Sequence, residues 1–431
     1  MKLSVLDVHI GDTRVGVLFK YGSVIRLQVD PEYAHDSNRP TLSLSMKAQN
    51  PQLEASLLLN PLSQLFNSPG DGRLPSFFQN LLPEGVMRSH VARQRGCDDD
   101  DYFEILAACG GDLPGNVSVR PAVVTETLTN RLLSSGNEGF EPTLVAEPLD
   151  DGVSLSGMQP KLGLLVDGSR YTSGRRHNGL YIIGKLPTAQ YDYLPEVEHL
   201  SLELARAAGV NSCISTLEPL EHISADHSYK LGSSNQFLAV QRFDRDGPGR
   251  VHAEDFAQIM NIDPQFKYQG GSYSDLGRIM LSFEGLGEEA VLELVRRIAV
   301  SELVGNYDFH LKNIGVLHHP DGRVTLSPAY DIVAYSVYMN GRGHALPFAH
   351  GLPRKEGLTP SAMRAFSSDV GMPEPILRKQ VTDVCKAAAE LWPDMIAASQ
   401  IAPEQKTKLT EFIASRDIMQ SFARRRPSMR R

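Results

Sequence analysis

The stretch with the most chemical promise is Asp308-Phe309-His310-Leu311-Lys312-Asn313, followed further on by Tyr330-Asp331. Phosphoryl transfer needs one carboxylate to take or orient the proton of the acceptor hydroxyl. It also needs an amide oxygen and a second carboxylate to hold Mg²⁺ against the nucleotide phosphates. D-x-x-x-x-N with a later Asp follows the order of the H-R-D-x-x-x-x-N and D-F-G elements of protein kinases, without their letters. Spacing alone is a weak signal, and the flanking elements strengthen it. Glu288–Gly305 has the spacing of an amphipathic helix, with Val291, Leu294, Val295, Ile298, Ala299 and Leu303 on one face, and it runs directly into Asn306–Asn313. Ile314–Leu317, the turn His318–Arg323 and Val324–Leu326 read as a hairpin whose far end returns Asp331 toward Asp308 and Asn313.

An upstream half should then supply a phosphate-covering loop and a lysine. Ser154-Leu155-Ser156-Gly157-Met158-Gln159-Pro160-Lys161 lies between two strand-like runs. It is neither a Walker A loop nor a G-x-G-x-x-G loop. Its backbone N–H groups could face phosphates with Lys161 nearby, and the same residues also fit an ordinary hairpin turn. Lys185 ends the apolar run Tyr181–Leu186, where an unpaired ammonium costs several kcal/mol, on the order of a buried ion's penalty. Either a phosphate and a carboxylate from the helix after Pro195 (Glu196, Glu198 or Glu203) satisfy it, or it snorkels to water. Phe237–Arg245 reads either as an interlobe connector whose backbone pairs with an adenine edge or as a plain edge strand.

The 431-residue length predicts two or three folding units to carry these residues. Short apolar runs at Leu3–Val8, Val15–Phe19 and Val24–Val29 predict a meander, and the spacing from Leu53 to Arg93 predicts helix. The Asp run before Tyr102 predicts an N-cap, and residues 121–150 read as a polar linker. Pro195–Ala208 predicts a helix, and most of the chain beyond 250 reads as helical. The expected division is 1–145, 146–250 and 251–431.

Composition narrows the class. The net charge of −8 excludes a globally basic nucleic-acid coat. That average hides an asymmetry: residues 376–431 hold eleven Lys/Arg against six Asp/Glu, a net of +5, which leaves −13 for the first 375. The basic end fits either a solvated helix end or a polyanion-facing surface, with Arg354, Lys355 and the terminal arginines as candidate contacts. Cys97, Cys109, Cys213 and Cys385 form no C-x-x-C pair, which points to a reducing, cytoplasmic setting. No apolar run long enough to cross a membrane is present, and the N-terminus, broken by Asp7, His9 and Asp12, does not read as a signal peptide.

Taken together, these motifs resemble the HipA family, the toxin serine/threonine kinases of bacterial type II toxin–antitoxin pairs. The resemblance runs over nearly the whole chain: Phe77–Gly85, Gly110–Val119, Ser154–Lys161, Ile183–Leu186, Val240–Arg245, His252–Gln258, Asp308–Asn313 and Tyr330–Ile332. It implies an α+β, bilobal protein-kinase-like fold with a mixed α/β N-terminal region and a mostly helical C-terminal lobe. It implies Asp308 as catalytic base, Asn313 and Asp331 as Mg²⁺ ligands, and His310, Leu311, Lys312, Asn313, Tyr330 and Asp331 along bound ATP. Ser156, Gly157, Met158, Gln159, Pro160 and Lys161 would cover the phosphates, Lys185 would contact them, and Gln241, Arg242 and Phe243 would hold the base. Ser154 resembles the family's autophosphorylated serine, although Ser156 offers a second hydroxyl. Met158 stands where a small residue is common, and Gln241 where a Glu is often seen.

The implied partners are a HipB-type helix-turn-helix antitoxin, operator DNA reached through it, and a protein substrate such as an aminoacyl-tRNA synthetase. Two other readings stand beside this one. One is a catalytically inactive kinase fold kept as a corepressor. The other is a metal-dependent phosphoesterase built on Asp308, His310, His318, His319 and Asp331.

Overall fold

The computed structural model describes residues 2–68, 70–123, 141–149, 154–155, 159–173, 180–225, 229–246, 249–354 and 356–425. The chain begins with the expected meander: β1 (Lys2–Ile10), β2 (Thr13–Tyr21) and β3 (Val24–Val29) pair antiparallel. β4 (Val117–Pro121) adds antiparallel to the other edge of β1, and β5 (Glu141–Pro142) pairs with β1 in parallel. Both faces of β1 are covered, because side chains alternate along a strand. Leu6, Val8 and Ile10 enter the main core of this region, while Leu3 and Val5 meet Val17 and Phe19 on the opposite face.

Helices α1 (Pro31–His35), α2 (Pro51–Leu59), α3 (Ser76–Asn80), α4 (Gly85–Arg95) and α5 (Tyr102–Cys109) pack on this sheet. The helical spacing read from Leu53 to Arg93 is thus three helices, broken by the Pro- and Gly-containing turns around 60–75 and 81–84. Asp101 is the residue of the acidic run that caps α5, its side chain accepting from the Glu104 N–H. The described part of the 121–150 stretch is not a loose linker. Thr143 N–H donates to Leu3, Leu149 N–H donates to Ala108, and Arg95 donates to the carbonyls of Ala146 and Glu147. Polar side chains suggested solvent, but backbone hydrogen bonds, which need no apolar residues, anchor it.

A second five-stranded sheet follows in the order β7-β6-β8-β10-β9. Its strands are β6 (Lys161–Asp167), β7 (Arg170–Thr172), β8 (Tyr181–Lys185), β9 (Ser215–Pro219) and β10 (Gln236–Gln241). Strand structure starts at Lys161, and the strand-like run expected before Ser154 lies outside the described residues. β10 lies between β8 and β9 and is an interior strand rather than an edge. Helix α6 (Leu194–Ala207) packs on it through Val197, Leu200 and Leu204, with Pro195 in its first turn.

The remainder is mostly helical. A short hairpin, β11 (Arg245–Asp246) and β12 (Gly249–Arg250), leads to β13 (His252–Asp255), which joins β14 (Gly315–His318) and β15 (Val324–Leu326) in a three-stranded sheet. The helices are α7 (Phe256–Ile259), α8 (Tyr273–Ser282), α9 (Gly287–Val304), α10 (Pro360–Val370), α11 (Glu374–Glu390), α12 (Trp392–Ala398), α13 (Pro403–Ser415) and α14 (Asp417–Arg425). α9 is the helix expected before the catalytic loop, and it ends at Gly305, whose φ of 71° supplies the left-handed C-cap. Trp392 is buried and donates its indole N–H to the Leu204 carbonyl of α6, tying the helical lobe to the sheet lobe. The α+β class matches the sequence expectation.

Candidate active site

The site is built where β8, α6 and the loop after β15 meet. Lys185 closes β8 with 5% exposure, and Glu198 on the second turn of α6 is 1% exposed. The Lys185 ammonium is hydrogen-bonded to both Glu198 and Asp331. Snorkelling is therefore not its state. Burial alone lowers a lysine's pKa, but the Asp331 and Glu198 carboxylates outweigh it and hold Lys185 well above its ordinary value. Asp331 answers in kind: burial opposes ionisation, yet Lys185 and then Lys161 keep it well below the usual carboxylate range.

Lys161, the register partner of Lys185 across β6 and β8, is also buried. Its pKa is pushed down first by burial and also by Lys185, with Asp331 opposing. Two ammonium groups thus converge on one carboxylate pair, an arrangement suited to a polyphosphate. Asp331 is fixed by the backbone before it. Ala329 and Asn211 exchange a hydrogen bond, as do Cys213 and Ala329, and Asp331 itself sits at a φ of 52°. A left-handed Asp is tolerated better than most residues but still stores strain of about 1–2 kcal/mol.

Asp308 leads the loop that the sequence reading expects to be catalytic. Its carboxylate accepts from the Tyr268 hydroxyl and lies 3.7 Å from His310 Nε2. Burial pushes its pKa up, while Tyr268 and Lys267 resist. Asn313 Nδ2 donates to the Asp308 backbone carbonyl at 2.8 Å. That bond fixes the amide so that Oδ1 is the end left to face a cation. Burial, then Lys267 and Lys312, push His310 down to about 3, so its ring is neutral.

Between the lobes lies a cavity lined by Lys161, Lys185, Gln241, Phe243, Tyr330 and Asp331 of the expected residues, with Ile183, Val240 and Val316 as apolar wall. Phe243 and Tyr330 meet with ring centroids 5.6 Å apart, and the Tyr330 hydroxyl donates to the Lys312 carbonyl at 2.8 Å. Gln159 Nε2 donates to the Leu186 carbonyl and Pro160 accepts from the Leu186 N–H, which ties the loop's end to β8. Ser156, Gly157 and Met158 lie outside the described residues.

Three expected roles shift in detail. Arg242 faces this cavity, but its guanidinium is taken up by Asp244 (2.9 and 2.8 Å) and Asp112 (3.1 Å), and its backbone N–H donates to the Tyr181 carbonyl at 3.0 Å. Leu311 turns its side chain into the helical-lobe core. Lys312 lines the cavity but sends its ammonium to Glu84 of the N-terminal region at 2.7 Å.

Ser154 is 0% exposed, donating its hydroxyl to the Leu81 carbonyl and its N–H to Asp112 O. Tyr268, Lys267 and Glu84 were not singled out as site residues from the sequence. Phe77–Gly85 stood out as a motif, whereas nothing in the letters around Tyr268 marks its reach to Asp308.

Oxygen donors from Asp331 and Asn313 suit a hard cation such as Mg²⁺, which takes its other oxygens from phosphates and water. Glu198 Oε2, buried with no hydrogen-bond partner, adds an acceptor within the same cluster. The five-residue metal set of a phosphoesterase is not assembled. His318 Nε2 is against Glu254 at 2.8 Å, and His319 Nε2 is against Thr325 Oγ1 at 2.8 Å. Among the described residues, no three His, Cys, Asp or Glu side chains gather as a metal site.

Residues 153–392 match the family model of the HipA-like C-terminal domain, and residues 6–120 match that of the HipA N-terminal domain. A Sinorhizobium fredii protein named "Putative kinase Y4dM" is 33% identical over 358 residues, covering 80% of this chain and 80% of its own length. A second from that organism, "Putative kinase Y4mE", is 26% identical over 348 residues, covering 73% of this chain and 77% of its own. Among solved structures, the HipA chain of the Shewanella oneidensis MR-1 complex of HipA, HipB and operator DNA superposes with a TM-score of 0.67. It shares 18% identity, with 97% of each chain covered, a likeness that speaks for the fold alone.

Proposed function

The chain belongs to the HipA family, and from that premise we propose that it is the toxin of a type II toxin–antitoxin pair, acting as an ATP-dependent serine/threonine protein kinase. The observation that carries this reading is the buried Lys185 bridged between Glu198 and Asp331. A strand lysine paired to a helix carboxylate, beside a carboxylate able to hold Mg²⁺, is the constellation phosphoryl transfer requires.

ATP enters between the lobes, its base beside Gln241–Phe243 and Tyr330 and its phosphates toward Lys161 and Lys185. Mg²⁺, held by Asp331 and Asn313, would neutralise charge on those phosphates. Asp308 accepts the proton of the acceptor hydroxyl, and its burial-raised pKa makes it a better base than an exposed aspartate. Tyr268 holds that carboxylate in place until a substrate hydroxyl takes over the hydrogen bond.

Ser154 is the autophosphorylation site in this reading. Its hydroxyl is a donor to a buried carbonyl, and a phosphate there would set new acceptor oxygens and about two negative charges against that carbonyl. The modified segment cannot reseat, and the phosphate-covering loop leaves with it. The partner is a HipB-type helix-turn-helix antitoxin, through which the pair meets operator DNA, and the substrate is a translation protein such as an aminoacyl-tRNA synthetase, in the cytoplasm.

The test is phosphoproteomics of cells expressing wild type beside Asp331→Gln. New phosphoserine or phosphothreonine confined to the wild-type culture supports the reading and names the substrate. Identical phosphoproteomes with equal growth arrest would favour an inactive binding module.

A further inference from the structure

The Phe77–Gly85 turn of the N-terminal region reaches across to the catalytic loop. Lys312 Nζ lies 2.7 Å from Glu84 Oε1 and 3.3 Å from the Asn80 carbonyl, with its side chain 1% exposed. The other oxygen of the same carboxylate, Oε2, lies 3.0 Å from Lys267 Nζ. Lys312 and Lys267 belong to different segments that flank Asp308. Lys312 sits in the tight turn Leu311–Asn313, whose Asn313 amide holds the Asp308 carbonyl. Lys267 precedes Tyr268, whose hydroxyl holds the Asp308 carboxylate, and the Lys267 carbonyl accepts from the Leu311 N–H at 3.3 Å.

Further bonds lock the turn in place. Asn80 Nδ2 donates to the Ile262 carbonyl at 2.8 Å, and Gln258 Nε2 donates to the Phe77 carbonyl at 3.1 Å. Burial resists ionisation of Glu84, but the two lysines hold it well below the ordinary carboxyl range, so both ion pairs persist at neutral pH.

We propose that Glu84 is a positioning residue of the active site: one carboxylate from outside both kinase lobes clamps Lys312 and Lys267, and through them holds Asp308 and Asn313 in register. It touches neither nucleotide nor acceptor. The inference rests on the kinase reading above. Without Glu84, the buried Lys312 ammonium loses its hydrogen-bonded carboxylate and keeps only the Asn80 carbonyl and the Asp255 field, and its turn must shift to bring it toward water. Asn313 moves with that turn. Lys185 and Glu198 hold each other on other elements, and the apolar wall of Ile183 and Val240 lies on the sheet, so nucleotide binding weakens less than turnover.

The experiment compares the full-length wild type, Glu84→Gln, Glu84→Asp, Lys312→Met and the Glu84→Gln/Lys312→Met double variant. ATP-Mg affinity is read by calorimetry, turnover at saturating ATP by phosphate incorporation, and exchange of amides 308–313 by mass spectrometry. The expected result is a fall of turnover in Glu84→Gln of about tenfold or more, with a clearly smaller rise in the ATP dissociation constant. Glu84→Asp restores part of the turnover, and the double variant is no worse than either single one, because both act through one contact. Wild-type turnover in Glu84→Gln, or parallel loss of ATP affinity and turnover, overturns the proposal. If wild type binds ATP but transfers no phosphate, the kinase reading fails. The clamp is then decided by exchange alone: it stands if amides 308–313 exchange faster in Glu84→Gln and falls if they do not.

Discussion

Lys185 is the residue on which the site turns, because its charge is stabilised by two carboxylates from separate elements. Lys185→Met should abolish measurable phosphate transfer, a loss of about 10²-fold or more, and leave the buried Glu198 without its hydrogen-bonded ammonium. A Lys185→Met/Glu198→Leu double variant should regain stability in thermal unfolding without regaining turnover, since an apolar pair can replace a buried ion pair. Asp308→Asn should cost roughly 10²–10⁴-fold in turnover with ATP affinity kept, measured in one titration and one labelling assay.

Asp255 adds a pH signature. Burial pushes it up to about 7 from an ordinary 3.8, so it favours the folded state in acid and loses that contribution as pH rises through 7. Asp255→Asn keeps a residue able to cap α7. Its melting temperature should gain on wild type as pH rises from 4 to 7, and a constant difference would contradict this. At this scale the letters were informative where spacing is local: Asp308, Asn313 and the Asp331 hairpin could be read directly. Glu84 and Tyr268 could not, because their partners lie 228 and 40 residues away in sequence and no periodicity encodes such contacts.

At the scale of elements, α9, α6 and the meander were legible, because each buries a face whose period is written in its own residues. The joints between elements were not. The Gly110–Gly115 turn meets the sheet lobe through Asp112 and Asp244, bridged by Arg242 and Arg245 and closed by Gly115 N–H donating to Asp244 at 2.8 Å. Gly115 has a φ of +68°, and a Cβ there would lie 2.5 Å from the Ala253 nitrogen. Gly115→Ala should therefore destabilise by about 1–3 kcal/mol in denaturant unfolding. It should also loosen the hold on Ser154, whose N–H donates to the neighbouring Asp112 carbonyl. Faster modification of Ser154 in that variant is the expected companion result.

Across the whole molecule, the charge asymmetry finds a partial address. The C-terminal helix α14 packs on α11, with Arg424 exposed in its last turn, while Lys355 and residues 426–431 lie outside the described residues. Arg354 donates to the Tyr268 carbonyl at 3.1 Å, on the residue whose hydroxyl bonds Asp308. All four cysteines are free, and among the described residues no helix is long and apolar enough to cross a membrane. The N-terminal region reaches the Ser154 segment through Leu81 and the catalytic loop through Glu84, so the whole chain is the unit to assay. The most direct measurement is mass spectrometry of purified full-length protein after incubation with ATP-Mg, wild type beside Asp308→Asn. Phosphate should appear on Ser154 of the wild type and be absent from Asp308→Asn, which still binds ATP. An unmodified wild type, or equal modification of both proteins, would contradict phosphoryl transfer by this site.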